Sequence, residues 1–430
     1  KYLLDNSVKE NWILTVGDVS LEAVKQKTAS HPNSRAIVFD IHNEIQRKEE
    51  ITKADIVVSM LPAAMHINVA KDCVKFKKHM VTASYVSEEM ATLHKEAEKN
   101  NILLLNEMGL DPGIDHMSAM QVIDRVKEEG GELISFKSYC GGLVAPESND
   151  NPWGYKFSWN PRNVILAGQG TAKYIEEGKY KYLPYSRLFT QTEKIEVKGH
   201  GTFEAYANRD SLSYRKPYAL EKIPTMLRGT LRMPGFCRAW NTFIKLGWTD
   251  DTYKIEHSAE LTFRQLVEAF LPESINTGSI QKRTAEFINE KENSEVMQKL
   301  EWLGIFGDKK ISIENASPAQ ILQSLLEEKW KLNAGDKDMV VMQHVFGYKY
   351  KVQSTKYKEG KIISSLVVKG EDQTYTAMAK TVGLPVAIAV KFILQEKIRS
   401  RGVVIPTGKE IYEPVLEELD KLGIRFDEKR

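Results

Sequence analysis

Over roughly its first hundred residues the chain alternates between two hydrophobic periods, and few folds accept that alternation. Ile13-Leu-Thr-Val16 is a short apolar strand running into Gly17-Asp18, and Ser20 is placed to cap a helix reaching about Ala29. Ala36-Ile-Val-Phe39 is a second strand ending at Asp40, and Ala54-Asp-Ile-Val-Val58 a third, ending in Ser59-Met-Leu-Pro62. A helix near Ile67 to Val74 puts Ala70, Cys73 and Val74 on one side. Met80-Val-Thr-Ala83 is a fourth strand, ending at Ser84-Tyr85. Met90, Leu93 and Ala97 mark the inward side of the next helix, before the fifth strand Ile102-Leu-Leu-Leu105. Continuous apolar strands separated by amphipathic helices predict an α/β domain whose parallel sheet is covered on both faces.

That domain uses only part of the 430 residues, and a length prior of about 150 residues per domain leaves room for two more. With 60 Lys+Arg against 58 Asp+Glu, the formal charge is +2, so no basic field calls for nucleic acid or an anionic membrane. Three scattered cysteines, Cys73, Cys140 and Cys237, cannot complete a disulfide framework and point to a reducing, cytoplasmic setting. No CxxC or HExxH array suggests a metal. The run from Leu384 to Val390, followed by Lys391 and Phe392-Ile-Leu, reads as too short to span a bilayer.

Glu132 to Tyr139 changes the pattern. Aromatic and β-branched segments recur without crossover helices through Trp153–Ile165, Ile195–Val197 and Thr202–Ala207, which predicts a mixed or antiparallel sheet. A helical stretch follows from about 258 to 328. Strand character returns in Met339–Phe346, Tyr348–Ser354 and Lys361–Val368, the last two separated by a turn near Glu359-Gly360. Thr376 to Ile398 reads as a long apolar helix interrupted by Gly383 and Pro385, and it is expected to return to the first domain. The expected organisation is an α/β domain over 1–110, an α+β mixed-sheet domain over 111–375 with a helical insertion at 256–330, and a returning segment over 376–430.

A parallel sheet invites a dinucleotide, yet no GxGxxG loop occurs in the chain. The opening KYLLDNSVKE already reads as the helix that follows such a loop, so the loop is expected before Lys1. Asp18 ends the first strand, where a carboxylate can accept both ribose hydroxyls of NAD and would repel the 2′-phosphate of NADP. It equally suits a helix-initiating acid beside Ser20. Asp40 lies beside adenine or in a solvent-facing turn. Ser59, Leu61 and Pro62 can lay backbone amides and apolar surface along a cofactor, although Pro62 also suits a helix start.

Five segments are more specific: Ala83-Ser-Tyr85, Asn106-Glu-Met-Gly-Leu-Asp-Pro-Gly-Ile-Asp-His116, Ser138-Tyr-Cys-Gly-Gly142, Asn151-Pro-Trp-Gly-Tyr-Lys-Phe-Ser-Trp-Asn160 and Arg228-Gly-Thr-Leu-Arg232. Together they resemble the glutamate-forming saccharopine dehydrogenases, also called saccharopine reductases, over essentially the whole chain. The resemblance implies that 1–110 is a Rossmann cofactor domain and 111–375 a substrate and dimerisation domain, with a homodimer and reversible conversion of L-saccharopine to L-glutamate and 2-aminoadipate 6-semialdehyde in lysine metabolism. NAD is the first choice of cofactor on the strength of Asp18, with NADP as the alternative.

Such chemistry needs carboxylate recognition, orientation and proton handling, while the pyridine ring accepts the hydride. The resemblance puts Arg209 and Arg232 on substrate carboxylates, which a guanidinium can hold bidentately. Thr230, Leu231 and Asn160 assist them, and Ser84 and Tyr85 line the ligand edge. Ala83, Pro112 and Gly113 go with the cofactor. Asp111 either pairs with the substrate amine or relays its proton, or else caps the next helix. Cys140 either polarises the reacting nitrogen or water, or is simply buried. Two rivals remain. One is an imine reductase such as carboxynorspermidine or homospermidine synthase, whose polyamine substrates want acidic walls. The other is a non-catalytic NAD-binding protein.

Overall fold

Apolar runs and amphipathic helices alternate in space as they do along the chain. The computed structural model describes residues 1–29, 31–274, 277–353 and 356–430. It begins with α1 (Tyr2–Glu10), β1 (Leu14–Asp18), α2 (Leu21–Thr28), β2 (Ser34–Val38), α3 (Glu44–Lys53) and β3 (Ile56–Ser59). Next come α4 (His66–Phe76), β4 (His79–Thr82), α5 (Glu88–Thr92), α6 (His94–Lys99), β5 (Leu103–Leu105) and α7 (Ile114–Glu128). Local chemistry starts several of these helices. The side chains of Ser20, Asn43 and Ser87 accept the amides of Ala23, Gln46 and Met90, satisfying donors the first helical turn leaves over.

The chain continues through β6 (Gly131–Val144), α8 (Pro161–Ile165), β7 (Ala172–Glu176), β8 (Lys179–Leu183), α9 (Tyr185–Leu188), β9 (Thr192–Val197), β10 (Gly201–Ala207), β11 (Thr225–Arg232) and α10 (Phe236–Lys245). Helices α11 (Phe263–Phe270), α12 (Ile280–Ile288), α13 (Glu295–Leu303) and α14 (Pro318–Lys329) precede the long strands β12 (Asp338–Gln353) and β13 (Lys356–Lys369). The end is α15 (Ala377–Leu394), β14 (Gly402–Val404), α16 (Lys409–Lys421) and β15 (Asp427–Lys429). Residues 1–125 with 379–425 make one compact unit, and residues 126–378 with 426–430 make another.

In the first unit the described strands pair in parallel. β1 pairs with β2, while β3, β4, β5 and the late strand β14 form a second ladder. The single sheet expected from the sequence is therefore two ladders, since β1 and β3 share no backbone hydrogen bonds among the described residues. Met80, Val81 and Leu103 to Leu105 are inaccessible, as strands covered on both faces require. Lys391 of α15 ties this segment to the rest of the unit by pairing with Glu418 at 2.9 Å and contacting the Tyr2 hydroxyl of α1. α15 has 18 residues and is by length and hydropathy enough to cross a membrane, so the short-run argument against a span does not hold. Over half of it is buried within the fold, which fits a core helix. It runs through Gly383 and Pro385 without a break.

The second unit carries a nine-stranded mixed sheet ordered β15-β13-β12-β6-β11-β10-β9, with β7 branching from β11 and β8 pairing with β7. β6 and β11 pair in parallel, and the remaining neighbours are antiparallel. Two local expectations fail here. Trp153–Ile165 is not a strand. Its rings are drawn into an aromatic core instead, with Trp153 and Tyr155 lying 5.3 and 5.2 Å from Trp330, and only α8 is regular. Glu359-Gly360 is not a turn either, because β13 runs straight through it. Gly360 lies opposite Tyr348, and a Cβ there would meet the tyrosine ring at 2.4 Å, so the glycine makes room for a ring. Ser354, placed in a strand by its sequence, lies outside the described residues.

Candidate functional site

Parallel strands release the chain on one edge, so residues just beyond β3, β4 and β5 become neighbours. Ser59 closes β3, and Ser84 follows β4 closely. His66, the first residue of α4, joins them: its Nδ1 is 2.8 Å from Ser59 Oγ and its Nε2 is 2.7 Å from Ser84 Oγ. Burial pushes the pKa of His66 below its ordinary value, so the ring is neutral near pH 7. The sequence reading reached both serines but missed the histidine, because a His at a helix start has no local partner that marks it.

Beyond β5 the chain enters the turn that carries Asp111. The Tyr85 hydroxyl donates to Asp111 Oδ1 at 3.2 Å. Glu107 is buried and sits at φ 60°, a left-handed conformation unusual for a non-glycine residue. One of its carboxylate oxygens accepts the Val86 amide at 3.0 Å, and the other lies 2.7 Å from Nε2 of buried His116. Glu107 thereby joins the Ser84-Tyr85 turn to the Asp111 turn. The Ile114 and Asp115 amides bond to the carbonyls of Gly109 and Leu110. The Asp115 carboxylate accepts the Gly113 amide at 2.6 Å. Pro112 and Gly113 are buried inside this turn. At Gly113, φ is 146° and a Cβ would fall 2.0 Å from the Gly109 carbonyl, so only glycine fits.

The remaining dinucleotide candidates lie at strand ends of the same unit. Asp18 is exposed. Its Oδ1 accepts the Ser20 amide at 2.9 Å, and its second oxygen has no partner among the described residues. Asp40 is likewise exposed and accepts the His42 amide at 2.9 Å. Leu61 and Ala83 are half-buried, and Pro62 is exposed at the start of a short 3-10 turn. Val19 and Met60, directly after β1 and β3, leave 73% and 57% of their surface exposed. A free carboxylate oxygen beside exposed apolar side chains is a chemically suitable seat for a ribose diol and an adenine ring, so these residues fit a nicotinamide dinucleotide.

Arg232 dominates the second unit. It closes β11 and is buried, with Nη1 donating to the Leu231 carbonyl at 3.0 Å and Nη2 3.5 Å from the Tyr206 hydroxyl. The rings of Tyr155, Phe236 and Tyr206 surround the guanidinium at 5.2, 5.3 and 5.8 Å. No acidic side chain pairs with it among the described residues. Burial pushes the phenols of Tyr155 and Tyr206 up, so both are neutral hydroxyls. Arg209 is exposed, has a left-handed backbone at φ 38° and acts electrostatically on the Tyr206 phenol, as Arg232 does. Thr230 bonds to Tyr206, and buried Cys140 sits opposite Thr230 on β6 within the field of Arg232. Leu231 is fully buried, so its carbonyl is what it offers. Asn160 is exposed and caps α8 by accepting the Arg162 amide at 3.0 Å.

Glu107 should matter most to the architecture of the first site. Glu107→Ala leaves the Val86 amide and the His116 ring without their acceptor and should cost about 1–3 kcal/mol of stability. Glu107→Gln keeps one acceptor and should cost less. Thermal unfolding of both variants is the check, and equal melting temperatures for Glu107→Ala and the parent protein would contradict it.

Residues 2–105 match the model of the saccharopine dehydrogenase NADP binding domain, and residues 109–424 match that of the saccharopine dehydrogenase C-terminal domain. Saccharopine dehydrogenase [NADP(+), L-glutamate-forming] of Pyricularia oryzae is 35% identical over 99% of this chain and 95% of its own length. The enzyme of the same name from Saccharomyces cerevisiae is 35% identical over 94% of this chain and 91% of its own. Alpha-aminoadipic semialdehyde synthase of Arabidopsis thaliana is also 35% identical, with this chain spanning 41% of its length. Apo saccharopine dehydrogenase (L-Glu forming) from Saccharomyces cerevisiae superposes with a TM-score of 0.89 at 33% identity, covering 99% of this chain and 96% of that one. A homospermidine synthase from Legionella pneumophila, at TM-score 0.52 and 8% identity, shares the fold alone. Both parts of the chain match that family's domains, and full-length relatives match it throughout, so the chain belongs to the saccharopine dehydrogenase family.

Proposed function

We propose that the chain catalyses the reversible, nicotinamide-dinucleotide-dependent oxidation of L-saccharopine with water to L-glutamate and L-2-aminoadipate 6-semialdehyde. Arg232 is the observation that carries this reading. A guanidinium is charged at any accessible pH, and burying it without a carboxylate is unfavourable unless a ligand brings one. Saccharopine carries three carboxylates. Carboxynorspermidine carries one and homospermidine none, and their several ammonium groups would meet a cation in an aromatic enclosure, which argues against those imine reductases.

The residues divide the work. When bound, the nicotinamide ring supplies the hydride acceptor. Arg232 and Arg209 hold carboxylates, with the Tyr206 hydroxyl and Thr230 beside them. Loss of hydride and of the amine proton turns the C–N bond into C=N; water then adds to the carbon, and the C–N bond breaks to release aldehyde and primary amine. Asp111 takes the proton, and the Tyr85 hydroxyl bonded to it orients that carboxylate. Cys140 lies beside Thr230 and shapes the pocket wall.

Production of glutamate and the semialdehyde from saccharopine, followed by coenzyme reduction and product identification, is the direct test. Turnover of carboxynorspermidine with none of saccharopine would overturn the assignment. Arg232→Met should weaken kcat/KM for saccharopine by about 2–5 kcal/mol, since a desolvated carboxylate loses its charged partner. Asp111→Asn should lower kcat while leaving the coenzyme KM near its parent value.

The coenzyme proposed is NAD. Asp18 supports it, because its exposed carboxylate would repel a 2′-phosphate. The NADP(+) in the names of the fungal relatives points the other way. Steady-state rates with both coenzymes decide the matter: a clear preference for NADP by the parent protein would sink the Asp18 argument, and Asp18→Ala should otherwise narrow the preference for NAD.

A homodimer formed through the second unit completes the proposal, supported by the family resemblance. Light scattering over a concentration range should give twice the chain mass of 48.9 kDa, and a persistent monomer would remove it.

A further inference from the structure

We infer that His66 is a positioning residue that sets the polarity of the Ser84 hydroxyl, holding the proton on Nε2 so that Ser84 accepts from the ring and donates its own proton to an anionic oxygen of the substrate. The inference rests on the substrate reading above and goes beyond it by assigning a residue and a proton.

The argument starts from the two ends of the relay. A neutral imidazole has one N–H and one acceptor nitrogen, so it cannot treat both serines alike. Ser59 is 3% exposed, and among the described residues its hydroxyl has no partner other than His66 Nδ1, at 2.8 Å. A buried O–H left without an acceptor is unfavourable, so Ser59 must donate to Nδ1. Nδ1 is then the acceptor, and the ring proton belongs on Nε2, 2.7 Å from Ser84 Oγ. Ser84 is half-buried, so its own O–H can turn outward to a ligand. His66 itself is only 4% exposed and starts α4, where the positive end of the helix further disfavours a second ring proton. The imidazole thus makes Ser84 a donor, which suits a carboxylate. The opposite tautomer would leave Ser84 donating into the ring.

Two measurements test this. Nitrogen-15 NMR of histidine-labelled protein, with the His66 signal assigned through His66→Asn, should show Nε2 protonated and Nδ1 bare. A proton on Nδ1 overturns the inference whatever the turnover. Kinetics test the consequence. His66→Asn reaches only the Nδ1 place, and it should raise the saccharopine KM about as far as Ser84→Ala does, roughly tenfold, with the coenzyme KM little changed. His66→Gln reaches the Nε2 place and should recover part of that loss. The double variant His66→Asn/Ser84→Ala should be no worse than Ser84→Ala alone, because both changes remove one interaction. Additive losses, or a coenzyme KM that rises equally, would overturn the positioning role. A protein with Nε2 protonated that turns over no saccharopine would overturn the substrate reading and leave the proton placement standing.

Discussion

Parallel pairing of β3, β4 and β5 is the constraint on which the first unit's chemistry depends. Strands running the same way all end on one edge, so Ser59, Ser84, Tyr85 and Glu107 meet there although sequence separates them widely. The strands contribute burial and no chemistry: Met80, Val81 and Leu103 to Leu105 are inaccessible and hydrocarbon-rich. Polar residues begin where each apolar run stops. Their hydrogen-bonding demand then organises the edge, because a buried donor or acceptor without a partner is destabilising. His66 satisfies Ser59 and Ser84, and Glu107 satisfies Val86 and His116. The same bonds that satisfy the edge also aim Tyr85 at Asp111.

The second unit solves a different problem. A guanidinium with no acidic partner among the described residues is held in the interior by one carbonyl, one phenol and three ring faces. Those rings are not decoration around the charge. Tyr155, Tyr206 and Phe236 belong to the aromatic core that also contains Trp153, Trp240 and Trp330. One wall therefore serves as core on one side and as cation seat on the other. A site built from core residues keeps its geometry without ligand, since moving Arg232 would disturb packing at near-crystalline density.

Much of the fold is legible in the sequence. Apolar strands, amphipathic helices and caps such as Ser20 are local features, and β1 to β5 appear within a few residues of their expected places. Errors arose where a residue type has two uses. Gly360 resembles a turn glycine and is a clearance for the Tyr348 ring. Trp153 and Tyr155 resemble strand aromatics and are core anchors.

The sequence by itself determined the parallel first unit, the mixed sheet after it and the residue types available for an amine oxidation. Hydrophobic period and turn chemistry act over a few residues, so they can be read without a structure. Only the tertiary structure decided that β1 and β3 lie in separate ladders, that Arg232 is buried among aromatic rings, and that His66 stands between Ser59 and Ser84. Those facts depend on which distant residues share a strand edge or a core wall. That choice is made by packing and by the need to satisfy buried polar groups, and no local pattern encodes it.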